Sequence, residues 1–148
     1  MRSPAPPVEI LLVEDNAGDI RLTIEALRES GIPNHLSVAR DGREALAFLS
    51  RKELFTTAPR PDLILLDLHL PSMSGRDVLA AIKSTTELKA IPVIMLTTSA
   101  DDRDIADSYA LHANAYVVKP VDFEAFLGAI RSIEDFWLKR ARLAVPPH

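Results

Sequence analysis

Three features of the sequence predict an α/β fold built on a doubly wound parallel sheet. Short, wholly apolar runs alternate with stretches of helical periodicity from Val8 onward. The runs lack the in–out alternation of a sheet with one wet face, which fits parallel strands covered on both sides. Acidic residues stand where two of the runs end, the rim at which such sheets bind ligands.

Taken in order, residues 1–7 are proline-rich and read as a flexible tail. The domain is expected over 8–138, with 139–148 a C-terminal extension too short for an output domain. The apolar run Val8–Val13 predicts the first strand, β1. Ala17, Ile20, Ile24 and Leu27 form one helical stripe, α1, with Gly31 as its stop. A weaker, partly exposed strand, β2, fits 36–39 and belongs at an edge. Asp41-Gly42-Arg43-Glu44 has the form of a capping box and opens α2, with Ala45, Leu46 and Leu49 on its inner face. The run 62–67 predicts β3. Ser74-Gly75-Arg76-Asp77 opens α3, which carries Val78, Leu79 and Ile82. The run 92–96 predicts β4. Asp101 or Asp102 caps α4, with Ile105, Ala106 and Tyr109. The run 115–118 predicts a buried β5, and α5 starts near Asp122 and carries Phe123, Phe126, Leu127, Ile130 and Ile133. Five strands and five helices with right-handed crossovers leave few arrangements. The expected strand order is 2-1-3-4-5, the flavodoxin-like one.

Composition narrows the function. Hydrophobic residues make up 47% of the chain and charged residues 26%, as in a soluble globular domain. A net charge of -4 argues against a direct nucleic-acid surface. The absence of cysteine excludes disulfides, thiolate metal sites and cysteine nucleophiles, and permits a reducing, cytoplasmic location. Neither a signal peptide nor a membrane span is expected, because the first apolar run stops at Glu14-Asp15. The four histidines are scattered, so no histidine metal site is expected.

The chemistry concentrates at strand ends. Glu14 and Asp15 follow β1 and Asp67 closes β3, so three carboxylates converge beside the switch point of the sheet. Such a cluster is costly unless a cation relieves it. Magnesium or manganese, bound through carboxylate oxygens and water, would do so. Lys119 follows β5 and Thr97 follows β4, adding an ammonium and a hydroxyl to the same rim. That set suits phosphoryl transfer: the metal and lysine neutralise phosphoryl oxygens, the threonine donates a hydrogen bond, and Asp67 is the candidate nucleophile. Asp15 and Asp67 would be the main metal ligands, with Glu14 acting more through water. The main-chain carbonyl of His69 would complete the shell.

The segments Val13-Glu14-Asp15, 65–71 ending in Pro71, Ser74-Gly75, Leu96-Thr97-Thr98-Ser99 and Tyr116-Val117-Val118-Lys119-Pro120 together resemble the receiver domains of response regulators, in order and spacing, over about 8–135. The resemblance implies that Asp67 accepts a phosphoryl group from a sensor histidine kinase. It also implies that Thr97 is the switch hydroxyl and Tyr116 the aromatic that swings inward with it. His69 and Ser99 occupy the positions that tune dephosphorylation, and the Lys119-Pro120 peptide is often cis in this family. Signalling would pass through an altered α4-β5-α5 surface. A narrower resemblance, to the small stand-alone regulators paired with bacterial phytochromes, rests on four pieces. These are Asn16-Ala17-Gly18-Asp19, the stretch 51–61, Leu96-Thr97-Thr98-Ser99, and the tail Ile133-Glu134-Asp135-Phe136-Trp137-Leu138.

Two other classes compete with this reading. A covalent phosphatase of the haloacid-dehalogenase type needs an acid/base aspartate where His69 stands, and no cap domain fits. A structural adaptor would keep the fold and leave the site unused. Outside the site, Asp101, Asp102 and Asp104 read as a solvated helix start. Phe136, Trp137 and Leu138 are consecutive, so they cannot all face one core. They point to a homodimer on the α4-β5-α5 side, or to a clasp by the C-terminal extension.

Overall fold

Each helix begins on a side chain that accepts from the helix's own first turn. Asn16 accepts from the Asp19 amide, Asp41 from Glu44, Ser74 from Asp77, Asp101 from Arg103 and Asp122 from Ala125. The computed structural model describes residues 7–29 and 32–140, and side chains as far as Trp137. Gly31, most of the N-terminal tail and most of the C-terminal extension lie outside the described residues.

The strands are β1 (Val8–Val13), β2 (Asn34–Ala39), β3 (Leu63–Leu66), β4 (Val93–Thr97) and β5 (Ala115–Val118). The helices between and after them are α1 (Ala17–Arg28), α2 (Gly42–Ser50), α3 (Gly75–Ser84), α4 (Asp102–Ala110) and α5 (Phe123–Ile133). All strand pairs are parallel, and the order is β2-β1-β3-β4-β5, as expected.

The continuous apolar runs serve two cores at once. On one face Leu11, Val13, Ile64, Leu66, Val93 and Met95 pack with α2 and α3 through Leu49, Val78 and Ile82. On the other, Ile10, Leu12, Leu63, Leu65, Ile94 and Leu96 pack with α1 and α5 through Ile20, Leu27, Phe126 and Ile130. Alternate residues of a strand point to opposite faces, so only an unbroken apolar run fills both.

Several expectations need correction. β5 is not buried: its residues are half-buried and Val118 is exposed, because the strand order leaves β5 at an edge. In α1 the buried face is Ile20, Thr23, Ala26 and Leu27, whereas Ala17 in the first turn is exposed. The box at Asp41 is only half formed, since Glu44 reaches back to the Arg40 amide at 3.4 Å instead of to Asp41. The Lys119-Pro120 peptide is not cis; no cis peptide occurs among the described residues. Before proline the two isomers differ by only about 0.5–1 kcal/mol, so the local sequence does not dictate the choice.

Two short elements were not foreseen. A 3-10 turn, Glu53–Phe55, lies within the stretch 51–61, with Phe55 tilted against Phe48 at 5.6 Å. Beyond α5 the chain continues as a π-helical segment, Glu134–Arg140. There Trp137 packs on the α1/α5 core while Phe136 remains 54% exposed and meets Trp137 edge-on. Of the three residues expected at an interface, one therefore packs within the chain and one is exposed; the side chain of Leu138 lies outside those described. No described helix is long and apolar enough to cross a membrane.

Gly75 sets how closely α3 approaches the end of β3. A Cβ there would overlap the carbonyl oxygen of Asp67 and lie 2.7 Å from the Leu68 Cα, both backbone atoms. Gly75→Ala is therefore expected to destabilise the fold by about 1–3 kcal/mol, as overpacking does. Thermal denaturation checks this, and an unchanged melting temperature would contradict so tight an approach.

Candidate functional site: a carboxylate and lysine cluster

Register brings the site together. Val13 lies beside Leu66 and Thr97 beside Val118, so the residues that follow emerge on one rim. The Glu14 amide donates to the Ala39 carbonyl and the Asp67 amide to that of Val13. The Lys119 amide donates to the Thr97 carbonyl at 2.6 Å. The backbone of each residue is thus tied into the sheet, and only the side chains are free to turn into the pocket.

Four of the predicted residues are buried there: Glu14 at 2% exposure, Asp67 at 7%, Thr97 at 0% and Lys119 at 6%. Asp15 is exposed at the pocket's mouth. The Lys119 ammonium donates to Glu14 Oε2 at 2.8 Å, to Asp19 Oδ2 at 2.9 Å and to Asp67 Oδ2 at 3.2 Å. The other oxygen of Asp67 accepts from the His69 amide at 3.3 Å. Carboxylate oxygens of Glu14, Asp15 and Asp67 lie within 4.8 Å of one another. Hard oxygen donors at that spacing fit a divalent cation such as Mg2+ or Mn2+, with water completing the shell.

The electrostatics follow from burial. Desolvation pushes the Glu14 carboxyl up from 4.5 to about 7; the Lys119 hydrogen bond opposes the rise, and the hydrogen bond and charge of Asp67 reinforce it. For Lys119, burial alone would favour the neutral amine. Hydrogen bonds to Glu14 and Asp19, with the charges of Asp67 and Glu14, outweigh it and push its pKa above the ordinary lysine value.

Ser99 organises the flank. Its amide donates to Thr97 Oγ1 at 3.4 Å, its carbonyl accepts from the Tyr116 hydroxyl at 2.8 Å, and its hydroxyl donates to Asp104 Oδ2 at 2.6 Å. Asp104 is in turn bound by Arg76 of α3 at 2.5 Å, and Arg76 also reaches Asp107 at 3.1 Å. Asp104 is thus not the solvated helix-start residue expected of it. Its carboxylate joins α4 to α3 and to Ser99.

Sequence reasoning also missed Asp19 as a partner of Lys119. The available signal was its position one helical turn after Asp15, in the first turn of α1, where acidic residues are common for helix-dipole reasons alone.

A sheet of this order, with two buried carboxylates and a lysine converging on its switch-point rim, defines a receiver module. The chain belongs to the response regulator receiver domain family, which matches residues 10–131. Response regulator Rcp1 of Synechocystis sp. is 46% identical over 138 residues, 93% of this chain and 94% of Rcp1. The crystal structure of the phosphorylated cyanobacterial phytochrome response regulator RcpA superposes with a TM-score of 0.92 at 47% identity, covering 95% of this chain and 100% of RcpA. The Mn2+-bound form of Rcp1 gives 0.91 at 45% identity, covering 94% and 100%. Members of this family take phosphoryl groups from histidine kinases, and the chain is a receiver-domain signalling protein.

The raised Glu14 pKa has a signed consequence. Folded Glu14 binds a proton that the unfolded chain releases above about pH 4.5, so the contribution is complete below that value and is lost as pH rises through about 7. Metal-free wild type should lose stability between about pH 4.5 and pH 7, and Glu14→Gln should show a flatter profile. Urea titrations across that window check the slope; parallel profiles would remove the burial argument.

Proposed function

We propose that this chain is the phosphoacceptor of a two-component phosphorelay, with Asp67 the residue phosphorylated. The observation that carries the reading is the Lys119 ammonium, delivered from an edge strand onto both Asp67 and Glu14. Asp67 Oδ is the attacking atom, Lys119 pairs with one phosphoryl oxygen, and the Thr97 hydroxyl donates to another. Glu14, Asp15, Asp67 and the His69 carbonyl would hold Mg2+ or Mn2+, which neutralises phosphoryl charge during transfer. The Mn2+-bound form of the relative Rcp1 supports a divalent site of this kind. Beyond phosphoryl uptake and its own hydrolysis, tuned by His69 and Ser99, the chain performs no turnover.

The donor in this reading is a cytoplasmic sensor histidine kinase. A phytochrome kinase is favoured by the likeness to RcpA, itself a phytochrome response regulator. Thr97 and Tyr116 are the switch pair, and the α4-β5-α5 surface carries the signal. We further propose a homodimer in which Phe136 contributes contact surface. The 54% exposure of Phe136 beside a packed Trp137 supports this.

Beryllofluoride with millimolar magnesium should bind wild type and not Asp67→Asn, read by calorimetry, and acetyl phosphate should add one phosphoryl group to wild type alone, read by intact mass. Failure of wild type to do either would sink the phosphoacceptor assignment. Sedimentation of wild type against Phe136→Ser tests the dimer separately. Equal monomer fractions for wild type and Phe136→Ser, with and without phosphodonor, would leave that tail without an assembly role.

A further inference from the structure

Lys119 has three ammonium protons, and all three are engaged, by Glu14, Asp19 and Asp67. Two of these acceptors belong to the carboxylate cluster suited to a cation; Asp19 does not. Asp19 lies on α1 outside that cluster, with its side chain 27% exposed and its backbone fixed in the helix start. Its amide donates to the capping oxygen of Asn16 at 2.9 Å, and the Asn16 amide donates to Glu14 Oε1 at 3.2 Å. Glu14, Asn16, Asp19 and Lys119 therefore close a hydrogen-bonded ring. The first turn of α1 holds one side of it, and a negative charge is favoured there by the helix dipole.

We propose that Asp19 is a positioning residue for Lys119, tethering the ammonium at the rim when a cation and the phosphoryl group claim Glu14 and Asp67. The inference rests on the phosphoacceptor reading above. In the reaction with acetyl phosphate, an Asp67 carboxylate oxygen forms a bond to phosphorus. The phosphorus–oxygen bond to the acetyl group breaks, and acetate leaves with the electron pair. For that step Lys119 must release Glu14 and Asp67 and aim a freed donor at one phosphoryl oxygen. A lysine on a flexible four-carbon stem pays side-chain entropy to hold such a pose. The bond to Asp19 supplies the constraint, because its acceptor competes neither for the metal nor for phosphorus.

The test is phosphorylation of the full chain by acetyl phosphate at saturating magnesium, combined with Mn2+ binding to the unphosphorylated protein by electron paramagnetic resonance. Asp19→Ala should slow uptake about tenfold, in the range found when a supporting partner of a site residue is removed. Asp19→Asn, which keeps an acceptor oxygen and guards against a folding defect, should fall between the two. Mn2+ affinity of Asp19→Ala should stay within about threefold of wild type, whereas Asp15→Ala should lose it. In a Lys119→Ala background, adding Asp19→Ala should change the residual rate by less than about twofold, since the interaction it removes is already gone. If that rate is below detection, beryllofluoride affinity gives the same cycle.

An unchanged or faster uptake by Asp19→Ala would overturn the proposal. So would an equal proportional loss with and without Lys119, which would mean that Asp19 acts on something else. A fall in Mn2+ affinity matching the fall in rate would make Asp19 part of the metal site instead. Wild type that takes up no phosphoryl group overturns the parent reading, and this one with it.

Discussion

The rim of this sheet depends on one ammonium group buried among carboxylates. Moving an ion out of water costs several kcal/mol even after relaxation, and Glu14 and Asp67 are both buried there. Lys119 offsets that cost by meeting both at hydrogen-bond distance. The compensation is incomplete by design of the residue set. Glu14, Asp15, Asp19 and Asp67 outnumber the single cation, and part of the remaining tension appears as the proton Glu14 prefers to keep. A pocket of this kind attracts a metal ion and repels an unaccompanied phosphate, so the cation must come first or together with it.

The sheet order makes the arrangement possible. Glu14 and Asp67 follow neighbouring strands, where each is tied by its own amide, and Lys119 follows the edge strand, two positions from β3 and three from β1. A long, flexible side chain is the sort that can cover that span, and an edge strand is where its backbone can be accommodated without crowding a neighbour. Gly75 serves the same end from below. Because α3 begins against the Asp67 carbonyl, the loop carrying His69 must turn sharply, which brings the His69 amide onto the second oxygen of Asp67.

How much of this could be read from the sequence follows from what local chemistry encodes. The two-sided strands were legible because an unbroken apolar run has few other uses, and Asp67, Glu14 and Lys119 were legible because charge directly after such a run is expensive. β5 looked as buried as the others, since Val117 and Val118 are apolar whether or not a sixth strand covers them. Asp19 and Asp104 were hidden for the opposite reason: an acid in a first helical turn is ordinary, and only the fold shows that one faces Lys119 and the other Arg76 and Ser99. The π-helical turn past Ile133 has no marker in composition. It resolves the crowding of Phe136 and Trp137 by sending one to the core and one outward.

The link from site to surface is shorter than the distance between them implies. Ser99 spends its amide on Thr97, its carbonyl on Tyr116 and its hydroxyl on Asp104, so three elements meet in one residue. In the proposed switch, a displacement of Thr97 toward Asp67 would pull on the same residue that holds the Tyr116 hydroxyl. The Asp104 bond would carry it into α4, which Arg76 braces against α3. A coupling of this type would need no extended pathway through the core, only two arrangements of a single loop residue that differ in which of its bonds survive. The Ser99 hydroxyl also accepts from the Asp101 amide at 3.3 Å, and as the only member that belongs to the Ser99 side chain it is what substitution at this position would change. The amide and carbonyl bonds would remain, leaving Thr97 and Tyr116 coupled to each other but released from α4.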